Sequence, residues 1–386
     1  MAYGPISQAG LGILSLYLCL TAYRWITLHF SRRKIILEHG CKPIQGRYPH
    51  KDPILGTDFI RDAFTAKAKG EFLIRESRLY DKLGPTYVFH VFGIGMISTA
   101  EPENMKAIFA TKFDDWSTGE RNRVLEPMLG KGIFTTEGDH WARSRVMIRP
   151  NFARGQISDL DRLESHVQDL FRHIPGDGVE IDLQPLFFQL MMDSATDLLF
   201  GQSVNSLRED NTAPAPGRPS DGAFAHAFDK AQEYCNVRFL YGPLGKIMWQ
   251  AKEDREAVAL CREFIQPYVD EAVRYRQAVE SGDVTNGPEK YTFLYELAKE
   301  TTDRIRLRDE LVNLLVAGRD TTASMLSNLF HTLAKRPDVW GKLRAEVQAL
   351  EGEHPSFEKL KNMKYLQYCI KECEFPWFSQ ARPRIN

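Results

Sequence analysis

The sequence is short of the features that mark most specialised classes of protein. Its six cysteines, at 19, 41, 235, 261, 369 and 373, form no C-x-x-C pair and no closely spaced framework. That excludes a zinc site or a disulfide scaffold and fits a reducing compartment. Neither sign of charge is in excess: 50 Lys and Arg stand against 51 Asp and Glu, a formal net charge of −1. No nucleic-acid partner is therefore implied, and no internal repeat is visible. What remains is 386 residues, 43% hydrophobic and 26% charged, enough to bury a large core in one big domain or two.

The longest uncharged run lies at the N-terminus. Met1 to Tyr23 holds no charged side chain and is mostly apolar from Leu11, with Tyr17, Tyr23 and Trp25 suited to bilayer interfaces, and Arg32, Arg33 and Lys34 follow. Roughly 20 residues of helix span about 30 Å, the thickness of a hydrocarbon core. Residues 1–34 are expected to be a single-pass membrane anchor with its basic flank, leaving the rest of the chain on the cytosolic side of the endoplasmic reticulum. A cleaved signal peptide is the rival reading; the charges follow the apolar run instead of preceding it, and no small-x-small cleavage site is evident.

Beyond a Pro- and Gly-rich lead-in at 39–53, the pattern is mixed at first and then helical. A charged amphipathic helix is expected over 67–83, a hairpin over 86–99 around Gly93 and Gly95, and a helix over 102–110. Apolar periodicity then predicts helices over 184–201, with Gly201 as C-terminal cap, and over 223–237, 250–280, 309–335, 339–350, 357–363 and from 365. Polar segments at 206–222 and 281–289 read as surface loops.

Two stretches carry chemistry. In Leu311–Ser327, L-V-N-L-L-V-A-G-R-D-T-T-A-S-M-L-S, the helical spacing of Leu311, Leu314, Leu315, Met325 and Leu326 is interrupted by Ala317, Gly318, Asp320, Thr321 and Thr322. Gly costs about 1 kcal/mol against Ala in a helix, and a mid-helix hydroxyl can turn onto the i−4 carbonyl, here Thr321 onto Ala317. Such a helix leaves room for a flat ligand and a diatomic molecule beside an acid and a hydroxyl. The plainer alternative is a packing glycine with a solvated Arg-Asp pair. In Gly138–Phe152, Trp141 and Arg145 lie four apart on one helical face, an indole donor beside a guanidinium suited to a carboxylate; a packed Trp with solvated arginines is the alternative there.

A-G-R-D-T-T-A at Ala317–Ala323 resembles the oxygen-binding helix of the haem-thiolate monooxygenases, the cytochrome P450 family. W-x-x-x-R at Trp141–Arg145, followed by Pro150-x-Phe152, looks like that family's propionate-binding helix. S-x-G-x-R at Ser117–Arg121, L-G-K-G-I-F-T at Leu129–Thr135, D-S-A-T-D-L-L-F-G at Asp193–Gly201 and L-L-V-A-G-R-D-T-T-A at Leu314–Ala323 look most like the fungal n-alkane and fatty-acid ω-hydroxylases. The resemblance implies a mainly α fold with a small β-sheet (α+β), haem b as cofactor, electrons from an NADPH-cytochrome reductase at the membrane, and an apolar substrate such as an alkane or fatty acid. It also implies roles. Asp320 and Thr321 would relay protons, Ala317 and Gly318 would leave space for oxygen against the haem, and Trp141 and Arg145 would hold a haem propionate. Phe224, Phe228, Phe239 and Leu240 would line the roof of the substrate pocket.

The resemblance covers residues 35–372 as a partial catalytic domain and then stops. The family continues from Glu372 as E-x-x-R and later as F-x-x-G-x-R-x-C-x-G with the ligand cysteine, whereas position 375 here is Phe and Asn386 is the last residue. Residues 373–386, with three aromatics and two prolines, read as an aberrant tail without helical continuation, and the chain as a C-terminally truncated gene model without a metal ligand, inactive as written. A buried Glu372 without its Arg partner is expected to destabilise it. The alternatives are a haem-free remnant, or a membrane-anchored binding protein for an apolar ligand.

Overall fold

The computed structural model describes residues 5–119, 121–152, 159–176, 178–208, 219–241, 245, 248, 250–282 and 291–374; the side chains of 5–18, 21, 24, 25, 240 and 374 lie outside that description. The expected loops at 206–222 and 281–289 and the tail beyond 374 fall largely outside it too.

The chain opens with α1 (Pro5–His39), one continuous helix of 35 residues that runs straight through the basic cluster. Among the described residues, no helix is long and apolar enough to cross a membrane. Most side chains of the expected anchor lie outside the described residues. A short strand β1 (Gly46–Arg47) then pairs in parallel with β2 (Thr86–Val91), which pairs antiparallel with β3 (Ile94–Thr99), Val91 opposite Ile94. The hairpin turn has φ of 50° at Phe92 and 77° at Gly93, the left-handed pair that matches strand twist. Instead of one helix over 67–83 there are two, α2 (Thr57–Ala68) and α3 (Phe72–Leu83). Gly70 takes φ of 68°, and Glu71 donates back to the Ala66 carbonyl at 2.8 Å, a glycine-terminated helix end that the charge pattern conceals.

The remaining helices are α4 (Pro102–Lys106), α5 (Arg121–Leu129), α6 (Gly138–Ile148), α7 (Leu160–Phe171), α8 (Leu183–Phe200), α9 (Asp221–Leu240), α10 (Lys252–Glu280), α11 (Phe293–Glu300), α12 (Arg304–Ala334), α13 (Pro337–Gln348), α14 (Phe357–Asn362) and α15 (Lys364–Glu374). A single π turn (Ala107–Thr111) continues α4. Gly201 closes α8 at φ 81°, donating to the Asp197 carbonyl, as its position predicts. α12 is capped by the Asp303 carboxylate, which accepts from the Ile305 and Arg306 amides.

α12 is the axis of the molecule. Leu311, Leu315 and Leu307 are fully buried against α8, α10 and α11, in one core with Met192, Phe224, Phe228, Phe264, Phe293 and Leu297. Farther along, Ala323 meets Leu170, Phe187 and Leu190, and Leu329 and Leu333 meet Cys369 and Cys373. Cys369 is thus a core residue. Two expectations about the end of the chain need correction. The helix continues through Cys373 to Glu374, because Cys373 packs on α12. Glu372 is exposed, so no buried carboxylate stands without a partner there.

Candidate active site

The segment Leu129–Thr135 bolts α6 onto α12. The amides of Lys131, Ile133 and Phe134 donate to Asp309 (2.8 Å), Glu310 (3.0 Å) and Asn313 (3.0 Å), and the Asn313 amide returns a bond to the Leu129 carbonyl at 2.8 Å. Any Cβ at Gly130 would overlap the Asp309 carboxylate, and one at Gly132 the Asn313 side chain. Both glycines of L-G-K-G-I-F-T are there for this close approach. The Ser144 hydroxyl of α6 donates to Glu310, which is fully buried; burial pushes its carboxyl above the usual range, against the pull of Ser144, the Ile133 amide and Arg306.

That bolt fixes how α6 presents Trp141 and Arg145. The Arg145 guanidinium lies 5.7 Å from the indole centroid, and the indole rests on Phe113 at 5.2 Å. Trp141 is half-buried, Arg145 is exposed, and among the described residues Arg145 has no ion-pair partner. An unpaired guanidinium beside an indole N–H suits a carboxylate.

Two turns beyond the bolt, α12 stays helical but leaves space at its surface. The Thr321 hydroxyl donates to the Ala317 carbonyl at 2.7 Å, the back-bond that the spacing predicts. A Cβ on Gly318 would meet no atom within 4 Å, and Thr321 is exposed. Asp320 does not join Thr321. Its carboxylate accepts from the Gln232 amide of α9 and from Arg319 at 3.3 Å. Burial pushes the Asp320 carboxyl above the usual carboxylate range; Arg319 lowers it and the Asp229 charge adds to the rise.

The Arg-Asp pair is not solvated. Arg319 is 5% exposed, ion-paired to Asp229 at 2.5 Å, and lies over the rings of Phe188 (5.0 Å) and Phe228 (5.6 Å). Arg319, Gln232 and Asp229 are functional candidates that the motif left unread. The available signal was the position of Arg319, four residues from the core positions Leu315 and Ala323 on the same helix. The expected roof residues fare differently. Phe224 and Phe228 are fully buried in the main core, with Phe224 stacked on Phe264 at 4.0 Å; Phe239 is exposed, and the Leu240 side chain lies outside the described residues.

The open space at Gly318 could take a flat group, and the exposed Arg145 could hold a carboxylate such as a haem propionate. The axial position does not fit what is described. Burial pushes the Cys235 thiol up to about 11 and Cys261 up to about 12, and it raises Cys369 and Cys373 as well. A thiolate ligand must be deprotonated. Cys19 and Cys41 are exposed, in α1 and just after it. Among the described residues, no group of three or more His, Cys, Asp or Glu could hold a metal ion.

The fold is mostly helical with a small sheet, built on one long continuous helix, and the comparisons place it as a P450 domain. The cytochrome P450 family profile matches residues 64–373. The chain is 40% identical to the cytochrome P450 monooxygenase himC of Aspergillus japonicus over 376 residues, 96% of this chain and 66% of that protein. It is 40% identical to the cytochrome P450 monooxygenase fsdH of Fusarium heterosporum over 357 residues (90% and 61%), and 43% identical to cytochrome P450 52A5 of Candida maltosa over 300 (75% and 56%). The chain belongs to the cytochrome P450 family, whose cofactor is haem b, and it spans less than two thirds of the length of these relatives.

Proposed function

We propose that the chain supplies the oxygen-binding and propionate-binding part of a haem-thiolate monooxygenase that hydroxylates a long apolar substrate, an alkane or fatty acid. Electrons come from NADPH through a membrane-bound cytochrome reductase, and residues 1–34 attach the protein to the endoplasmic reticulum. The observation that carries the reading is the Thr321–Ala317 back-bond beside Gly318, with the half-buried Asp320 carboxyl immediately before Thr321. Haem, when bound with an axial cysteine thiolate, supplies oxygen activation.

The chain's own residues do the rest. Gly318 and Ala317 leave α12 thin where a flat group lies against it. Trp141 and Arg145 hold a carboxylate at the edge of that face. Thr321 keeps a hydroxyl on the open side, and Asp320, whose carboxyl burial raises above the usual carboxylate range, is the acid beside it that can take up and give a proton. The substrate class rests on the resemblance of the four quoted motifs and on an apolar N-terminal segment suited to a bilayer.

In a version of the chain carrying the thiolate segment of one of its relatives, Thr321→Ala is expected to keep haem and substrate binding but to lower product formed per NADPH consumed, with peroxide released. Measured stoichiometry checks this; unchanged coupling would remove Thr321 from proton transfer. The packing of Cys235 and Cys261 in the main core, and of Cys369 and Cys373 against Leu329 and Leu333, favours a second reading for the 386-residue chain by itself, a haem-free protein without catalysis.

A further inference from the structure

α15 carries Tyr365, Cys369 and Cys373 four residues apart on one face, packed with Leu329 and Leu333 of α12 and Val339 of α13. The next position of that stripe is 377, a tryptophan. Helix cannot deliver it there, because Pro376 lacks an amide hydrogen and disfavours helical backbone at Phe375. α15 accordingly ends at Glu374.

Beside that end lies a cavity of about 450 Å³ between α12, α13 and α15, lined among others by Leu333, Val339, Tyr365, Tyr368, Cys369 and Cys373. Tyr368 is 58% exposed. A water molecule takes about 30 Å³ of liquid, so the space holds many waters against aliphatic, thiol and ring surfaces that offer them little to bond. Covering such a surface with apolar side chains is favourable. Residues 375–386, F-P-W-F-S-Q-A-R-P-R-I-N, lie outside the described part of the chain.

We propose that residues 375–386 turn back from the end of α15 and seat Trp377 and Phe378 in this cavity, so that the chain covers the apolar surface of its own α12–α13–α15 cluster. Reach, composition and charge all favour this occupant. Trp377 stands three residues beyond Glu374, a span of at most about 10 Å, which is the spacing of two packed helices. Phe375, Trp377 and Phe378 each bring a ring that can bury about 150–250 Å². Arg382 and Arg384 follow them, and Glu372, which lines the cavity and is exposed, forms no ion pair among the described residues. The other charged group of the lining, Arg336, is already held by Asp338 at 2.7 Å. No residue of α6 and none of Ala317–Thr321 takes part, so the proposal stands apart from the haem reading.

The test is labelling of the intact 386-residue chain with N-ethylmaleimide, each cysteine followed by mass spectrometry of its peptide. Trp377→Ser combined with Phe378→Ser is expected to make Cys369 and Cys373 react about tenfold faster than in the wild type. Cys235 and Cys261, in the main core, should stay unreactive in both, which shows that the fold is kept. Fluorine-19 NMR of the chain made with 5-fluorotryptophan reads the contact directly. The Trp377 signal, assigned by its loss in Trp377→Phe, should shift on Tyr368→Ala, while the Trp141 signal stays in place. If the double variant exposes Cys235 and Cys261, the fluorine measurement decides alone. Equal labelling of wild type and a folded double variant, or a Trp377 signal unmoved by Tyr368→Ala, overturns the proposal. Wild-type labelling that slows as protein concentration rises would identify a second copy as the cover and overturn it as well.

Discussion

Replacing Arg162 with methionine is expected to lower the unfolding free energy by about 3–5 kcal/mol at neutral pH, the usual cost of leaving one half of a buried ion pair alone. The guanidinium grips Asp197 in a fork, Nε to one carboxylate oxygen and Nη2 to the other, both at 2.7 Å. Nη2 also donates to the Asp197 carbonyl at 2.6 Å and Nη1 to the Tyr291 carbonyl at 2.9 Å, so one side chain ties α7 to the C-terminal end of α8 and to the lead-in of α11. The two side chains are only 10% and 15% exposed. Urea unfolding checks the magnitude, and a loss below about 1 kcal/mol would class the pair with surface bridges.

The same cluster fixes a pH dependence. Burial raises the Asp197 carboxyl, but hydrogen bonds from His166 and Arg162 and the Arg162 charge outweigh it and hold the group well below the usual carboxylate range. A depressed folded pKa stabilises above the unfolded value, about 3.9, and that stabilisation is lost as pH falls through the unfolded value toward the folded one. Wild type and Arg162→Met should therefore converge in stability in strong acid and separate as pH rises toward neutrality.

Phe264→Ala is expected to cost about 3–5 kcal/mol, the range for deleting a large buried ring. Phe264 has no exposed surface, stacks on Phe224 at 4.0 Å with 15° between the rings, and lies 5.9 Å from the Tyr268 ring. It joins α10 to α9, and α9 carries Gln232 and Asp229. Differential scanning calorimetry checks the loss, and a cost below about 1 kcal/mol would contradict this packing.

Much of this arrangement was legible in the residues, for a definable reason. Where an element buries a continuous apolar face, as α8 and α12 do, its period and its terminal signals are local, so Gly201 as a cap and the Thr321 back-bond could be read directly. What depended on the partner could not. Gly70 splits one expected helix because its positive φ outweighs the charge pattern around it. Phe224 and Phe228 have the composition of a pocket lining, yet both are fully buried in the core, Phe224 stacked on Phe264 of α10. Glu372 was expected inside and stands outside, since a motif position carries no burial. The Leu129–Thr135 bolt and the Arg319 cluster join residues about 90 to 180 positions apart, a distance over which periodicity says nothing.

The claim on which the rest depends is that this chain builds the α6 and α12 faces of a haem site while its buried cysteines remain neutral thiols. The direct measurement is the optical spectrum of the 386-residue chain expressed with haem supplied, reduced, and exposed to carbon monoxide. Weak haem retention, reduced further by Arg145→Leu, with no Soret band in the thiolate-ligated position is the expected result. A Soret band in the thiolate-ligated position would contradict it, because one of the six cysteines would then be a deprotonated ligand.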